Sequence, residues 1–89
     1  MRRAAKIDAN QTEIVEAFRR LGCSVLDLSR VGQGCPDLLI CGPVGTMLVE
    51  VKTAKGRATR DQVTFWRQWK GQIAVVRSVD DVMSVMWGL

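Results

Sequence analysis

The chain has 89 residues, 47% of them hydrophobic and 25% charged, with a net charge of +4. That length predicts one domain with a modest core, and the composition excludes disordered and coiled-coil classes. No apolar run reaches the ~18 residues of a membrane helix.

The start, MRRAAKIDANQ, is basic but leads into a helix-start signal instead of an apolar signal core. The expectation is a soluble, cytoplasmic protein with no membrane partner. Mild basicity suits a polyanionic partner and an ordinary soluble protein equally. The absence of histidine removes serine–histidine and cysteine–histidine nucleophilic schemes and most catalytic zinc sites. Cys23, Cys35 and Cys41 form no C-x-x-C pair and read as buried, reduced thiols. Chemistry is left to carboxylates, lysine and a hard metal ion.

In chain order, residues 8–21 read as a helix. Asp8 and Gln11 suit a capping box. Ile14, Phe18 and Leu21 form the apolar stripe, and Gly22 is a natural residue just past the end. CSVLDL, 23–28, reads as a strand and SRVGQGCP, 29–36, as a loop. DLLIC, 37–41, and TMLVEVK, 46–52, are strands around the turn at 42–45. TAKGR is again a loop, and Thr59 with Gln62 caps a helix over 60–70 that ends at Gly71. QIAVVR, 72–77, is a short apolar strand, expected to be central and buried. Ser78 with Asp81 opens a last helix through Trp87. The expected class is α/β, a mixed sheet with helices against it in the order αβββαβα.

The hairpin at 37–52 holds an oddity, because each of its apolar runs carries an acid. If Cys41 lies opposite Thr46, then Leu39 lies opposite Leu48 and Asp37 opposite Glu50. Side chains alternate across a strand, so Asp37, Leu39, Leu48, Glu50 and Lys52 share one face. Leu38, Ile40, Met47, Val49 and Val51 form the other, which must be core. Opposed like charges repel, so the two acids need either a shared proton or a cation. Oxygen ligands without histidine favour Mg²⁺ or Mn²⁺ over zinc. Lys52, on the same face, could orient a water or stabilise charge on a pentavalent phosphate. A plain Glu50–Lys52 salt bridge and a turn role for Asp37 are the competing explanations.

Pro36-Asp37 followed by Glu50-Val51-Lys52 is the PD-(D/E)xK nuclease signature. Around it stand a glutamate on the preceding helix, the R-x-G-x-G-x-P-D-L stretch from Arg30 to Leu38, and a glutamine on the helix after the EVK strand. Together these features resemble the VRR-NUC family, the virus-type replication–repair nuclease domain, over residues 10–77. The resemblance implies a restriction-endonuclease-like fold and a single nuclease domain over 1–89, of the stand-alone phage or bacterial type. It makes Asp37 and Glu50 the principal metal ligands, joined by the Val51 carbonyl, and Lys52 the catalytic lysine. Glu13 would complete the metal site directly or through water, and Gln62 would position the lysine or the scissile phosphate.

Local explanations differ for these last two. Glu16 has Arg20 at i+4, an ordinary solvated pair, whereas Glu13 has Ala17 there and lacks that excuse. Gln62 could simply complete the cap begun by Thr59.

A nuclease must hold a phosphate backbone beside its acids. Arg30, Gln33, Lys55, Arg57 and Arg60 flank the open end of the hairpin and are the candidate DNA contacts, reading phosphate and shape more than sequence. Val63, Phe65, Trp66, Trp69, Met83, Met86 and Trp87 exceed what so small a core absorbs, which predicts that some of them form a homodimer interface. The stand-alone members of the family resemble Holliday-junction resolvases, which agrees with that.

The expected function is a Mg²⁺- or Mn²⁺-dependent, structure-selective DNA endonuclease acting on junctions, flaps or forks in the cytoplasm of a bacterium or phage-infected host. The alternatives are a non-catalytic DNA-binding or repair-scaffold protein of the same fold, and an oligomeric interaction module whose hairpin acids form a structural ion pair.

Overall fold

The structure, a computed structural model, describes residues 10–43 and 45–87. The elements are α1 (Gln11–Arg20), β1 (Ser24–Asp27), β2 (Leu38–Gly42), β3 (Gly45–Val51), α2 (Arg60–Gln68), β4 (Ile73–Val76) and α3 (Val79–Trp87). They build a small mixed α/β domain around one four-stranded sheet in the order β1-β2-β3-β4. The first three strands run antiparallel, and β4 joins parallel to β3. Among the described residues no helix is long and apolar enough to cross a membrane.

The periodicity of α1 explains its seat. Ile14, Ala17 and Phe18 fall at i, i+3 and i+4, so one stripe faces the sheet, and all three are buried. The helix stops in a Schellman arrangement. Gly22, at φ +88, donates to the Arg19 carbonyl, and Cys23 donates to the Phe18 carbonyl. The start falls at Gln11, later than the expected residue 8, and the anticipated cap residue Asp8 lies outside the described residues. Asn10 stands at the N-cap with no capping bond of its own, because its side chain is used elsewhere.

The hairpin pairs Cys41 with Thr46, Leu39 with Leu48 and Leu38 with Val49, the register that puts Asp37 and Glu50 across from one another. Leu38, Ile40, Val49 and Val51 are fully buried, with Met47 nearly so, beneath Ile14, Phe18, Val82 and Met86. Burial of each such large side chain contributes about 1.5–3 kcal/mol, and this face forms the core. On the opposite face α2 reaches β3 through Gln62, and none of its residues is buried. Leu26 and Val75, in strands at the two edges, are 57% and 39% exposed.

Two expectations are corrected here. The apolar strand at 73–76 is an edge strand, not a central one, with only Val76 buried. A parallel strand must arrive by a crossover, and here it adds to the open side of β3. The thiols are free, but only Cys23 is buried, while Cys35 is half-buried and Cys41 exposed. Cys41 sits on the outward side of the β1–β2–β3 ladder, where alternation places it opposite the buried Ile40. Burial pushes the Cys23 thiol up, with a smaller push from Cys41.

Candidate active site

The C-terminal end of β3 delivers Glu50 and Lys52 to the α2 side of the sheet by simple alternation. Asp37 reaches the same place from the residue before β2. Its Oδ2 accepts the Val51 N–H at 2.9 Å. This bond follows from the register. Val51 turns its main-chain groups toward β2, where the opposing residue is Pro36, which has no N–H for the Val51 carbonyl.

The preceding loop is set by backbone conformation. Gly32, Gln33 and Gly34 take φ of +77, +58 and +81 in succession, and Cys35 donates back to the Gly32 carbonyl. Gly34 packs so closely on α2 that a Cβ there would lie 2.1 Å from the Asp61 carbonyl oxygen. Only glycine permits that approach, and it locks the Asp37 loop against the first turn of α2.

That first turn supplies Gln62. Thr59 and Gln62 form the reciprocal capping box expected of them, and Gln62 does more. Its Oε1 accepts from the Thr59 N–H at 2.9 Å and from Lys52 Nζ at 2.8 Å. Its Nε2 donates to Glu50 Oε2 at 2.8 Å. Two donors on one side and a carboxylate on the other leave the amide a single sensible orientation. Lys52 Nζ also lies 3.2 Å from Glu50 Oε2. Gln62 therefore serves both as cap and as the hinge of a Lys52–Gln62–Glu50 triangle.

Glu50 is 3% exposed, and its other oxygen, Oε1, is buried with no hydrogen-bond partner. Burial pushes its carboxyl up to about 7. The neighbouring Asp37 charge adds to the rise, and Lys52 opposes it. The Asp37 charge is thus close enough to hinder the ionisation of Glu50, which is the situation that a shared proton or a cation relieves.

Asp37, Glu50, Lys52 and Gln62, with Thr53, Gly56, Arg57 and Thr59, line a cavity of about 410 Å³. Of the expected DNA contacts only Arg57 lines it. Arg30, Gln33, Lys55 and Arg60 are exposed. A second cavity of about 360 Å³, between α1 and β1, contains none of the expected site residues.

Glu13 is not brought to the site. It is exposed on α1 and does not line the cavity. One position before Ile14, it lies about 100° around the helix from that core residue. Among the described residues no three cysteine, aspartate or glutamate side chains gather where they could hold an ion. Instead the N-cap of α1 offers Asn10, whose Nδ2 donates to the main-chain carbonyls of Lys52 at 3.1 Å and Arg77 at 2.9 Å. Asn10 escaped the sequence reading because its partners are carbonyls 42 and 67 residues away, and a carbonyl leaves no signature in side-chain spacing.

The donor set fits a small hard cation. Glu50 Oε1 is buried without a hydrogen-bond partner, the Asp37 charge acts on the same carboxyl, and the Val51 carbonyl faces a proline. Two carboxylates and a carbonyl, with water completing the shell, suit Mg²⁺, which keeps several waters, and Mn²⁺ shares that oxygen preference. Comparisons with family models, with curated proteins and with solved structures returned no match.

Proposed function

We propose that this chain is a metal-dependent DNA endonuclease with a restriction-endonuclease-like fold, resembling the VRR-NUC domain and hydrolysing phosphodiester bonds in branched DNA. Its substrates are junctions, flaps or forks in replication, repair or recombination, and it works as a homodimer in the cytoplasm. The observation that carries the reading is the partnerless, buried Glu50 Oε1 beside Asp37, with a lysine held on the same carboxylate.

A Mg²⁺ or Mn²⁺ ion held by Asp37, Glu50 and the Val51 carbonyl would polarise the phosphate and acidify an attacking water. The chain's own residues do the rest. Lys52 has three ammonium hydrogens. Gln62 and Glu50 engage two of them, and the third is left for a water or a phosphate oxygen. Fixed in this way, the ammonium stabilises developing negative charge without reorganising as the reaction proceeds. Gln62 holds the lysine through its amide oxygen and the carboxylate through its amide nitrogen. Arg57, on the cavity wall, offers a charge to the phosphate backbone.

The 3.2 Å Glu50–Lys52 bridge also favours a second reading, a structural ion pair in a non-catalytic DNA-binding or interaction module. One assay separates the two. Purified protein is incubated with labelled four-way, flap and linear DNA in Mn²⁺, Mg²⁺ or EDTA. The parent cuts at least one substrate with metal and none in EDTA, and Lys52→Ala lowers the rate by roughly 10²–10³-fold. No cleavage of any substrate, or cleavage by Lys52→Ala at the parental rate, would falsify the endonuclease reading.

A further inference from the structure

Arg77 follows β4, and its main chain is pinned on both sides. Its N–H donates to Asp81 Oδ2 at 2.8 Å, and its carbonyl accepts from Asn10 Nδ2 at 2.9 Å. That same Nδ2 reaches the Lys52 carbonyl, and the Lys52 N–H donates to the Val76 carbonyl at 3.0 Å. The backbone of Arg77 is therefore fixed relative to that of Lys52. From this base the guanidinium reaches back into the loop after β3. Its Nη1 donates to the carbonyls of Thr53 at 2.7 Å and Gly56 at 2.8 Å, with Ala54 at 3.4 Å. Nη1 has two hydrogens, so Thr53 and Gly56 take the short bonds and Ala54 shares one of them. Within the loop, Gly56 donates to the Thr53 carbonyl at 3.1 Å. Thr53, Gly56 and Arg57 of this loop line the cavity that holds Asp37, Glu50, Lys52 and Gln62.

A surface arginine serving only to attract phosphate would keep its hydrogens for the ligand. Arg77 commits one nitrogen wholly to its own chain. Arginine is suited to this, because a planar, weakly hydrated fork serves several carbonyls at once where a lysine presents a compact, strongly hydrated charge. We propose that Arg77 is a positioning residue that gathers the carbonyls of Thr53, Ala54 and Gly56 and so fixes the loop 53–57 as the cavity wall presenting Arg57 to a phosphate backbone. The identity of what Arg57 meets rests on the nuclease reading, whereas the clamp itself does not.

The test uses the full chain. Arg77→Lys keeps the charge and the alkyl stem, and Arg77→Gln removes the charge. Limited trypsin digestion under native conditions reads cleavage after Lys55 and Arg57 against cleavage after Arg19 and Arg20 in α1. Binding of labelled four-way DNA is measured in parallel with Ca²⁺ in place of Mg²⁺. Both variants are expected to be cut in the loop roughly tenfold faster than the parent, the factor that loss of about 1.4 kcal/mol of charge-assisted bonding produces. Cleavage in α1 stays unchanged, and both variants bind DNA more weakly to a similar extent.

Parental loop cleavage in Arg77→Lys overturns the clamp whatever the DNA result. Faster loop cleavage with parental DNA binding overturns its role in presenting Arg57. If Arg77→Gln does not fold, Arg77→Lys decides alone. A parent that neither binds nor cuts DNA, while the variants still open the loop, sinks the nuclease reading and leaves the clamp standing.

Discussion

Glu50 is where the site's electrostatics concentrate. Its carboxyl titrates above the ordinary 4.5, at about 7, through burial first and Asp37 second. The folded chain therefore holds that proton more tightly than the unfolded chain does. The Glu50 contribution to metal-free stability is greatest below ~4.5 and is lost as pH rises through about 7. Asp27, held down by its bonds from Ser29, titrates below that window. Thermal unfolding in EDTA should thus show a lower midpoint at about pH 8 than at about pH 5, and Glu50→Gln should flatten that difference. Added Mn²⁺ should raise the midpoint of the parent at the higher pH and not that of Glu50→Gln. An equal response from both proteins would remove Glu50 from the ion's ligands. At Gln62 the charge logic reverses. Gln62→Glu replaces the Nε2 donor to Glu50 Oε2 with a second carboxylate, so activity should fall although the side chain keeps its shape. A parental rate in the same cleavage assay would show that the amide donor is dispensable.

Gln62 also joins two jobs in one element, and substitutions can separate them. Thr59→Ala removes the cap acceptor and should cost about 1 kcal/mol of stability, while the Lys52–Gln62–Glu50 contacts remain. Gln62→Ala loses the cap and those contacts together. Urea denaturation should find the two variants within about 1 kcal/mol of one another, and cleavage should separate them widely. Equal rates would mean that Gln62 acts only as a cap. A third element-scale effect sits at Gly34, where alanine meets both a positive φ and the Asp61 carbonyl. Gly34→Ala should destabilise by more than about 1 kcal/mol, measured in the same way, and move Asp37 away from Glu50.

How much of this was legible in sequence follows from the range of each interaction. The hairpin register, the Thr59–Gln62 box and the Ser78–Asp81 start, where the Asp81 N–H reaches Ser78 Oγ at 3.2 Å, depend on neighbours or on one tight turn. All three can be read from residue spacing. The edge position of β4 could not be read that way. An apolar tetrapeptide looks alike at the centre and the rim of a sheet, and only the crossover through α2 decides its place. Glu13 falls outside the cavity lining because a helix face is set by what the helix packs upon, and Gln11, Ile14, Ala17 and Phe18 took the inward side. The Asn10 and Arg77 bonds end on main-chain carbonyls, which every residue possesses.

Across the whole molecule the two faces of the sheet are unequally treated. Among the described residues one is packed beneath α1 and α3, and on the other side Trp69 is 45% and Val75 39% exposed. Met83 and Trp87, one turn apart on α3, are 39% and 57% exposed. That apolar surface is the basis for proposing a homodimer. Light scattering at micromolar concentration should give a mass near twice 9.9 kDa, and a mass of one chain would defeat it. The crossover has a further consequence. Because β4 reaches β3 only through α2, whatever steadies Gln62 also steadies the last strand's attachment. The Ala74 and Val76 amides, on either side of the residue paired with Glu50, become backbone reporters of the acid pair. Filling the cavity with an ion should slow their hydrogen–deuterium exchange, although neither residue touches it.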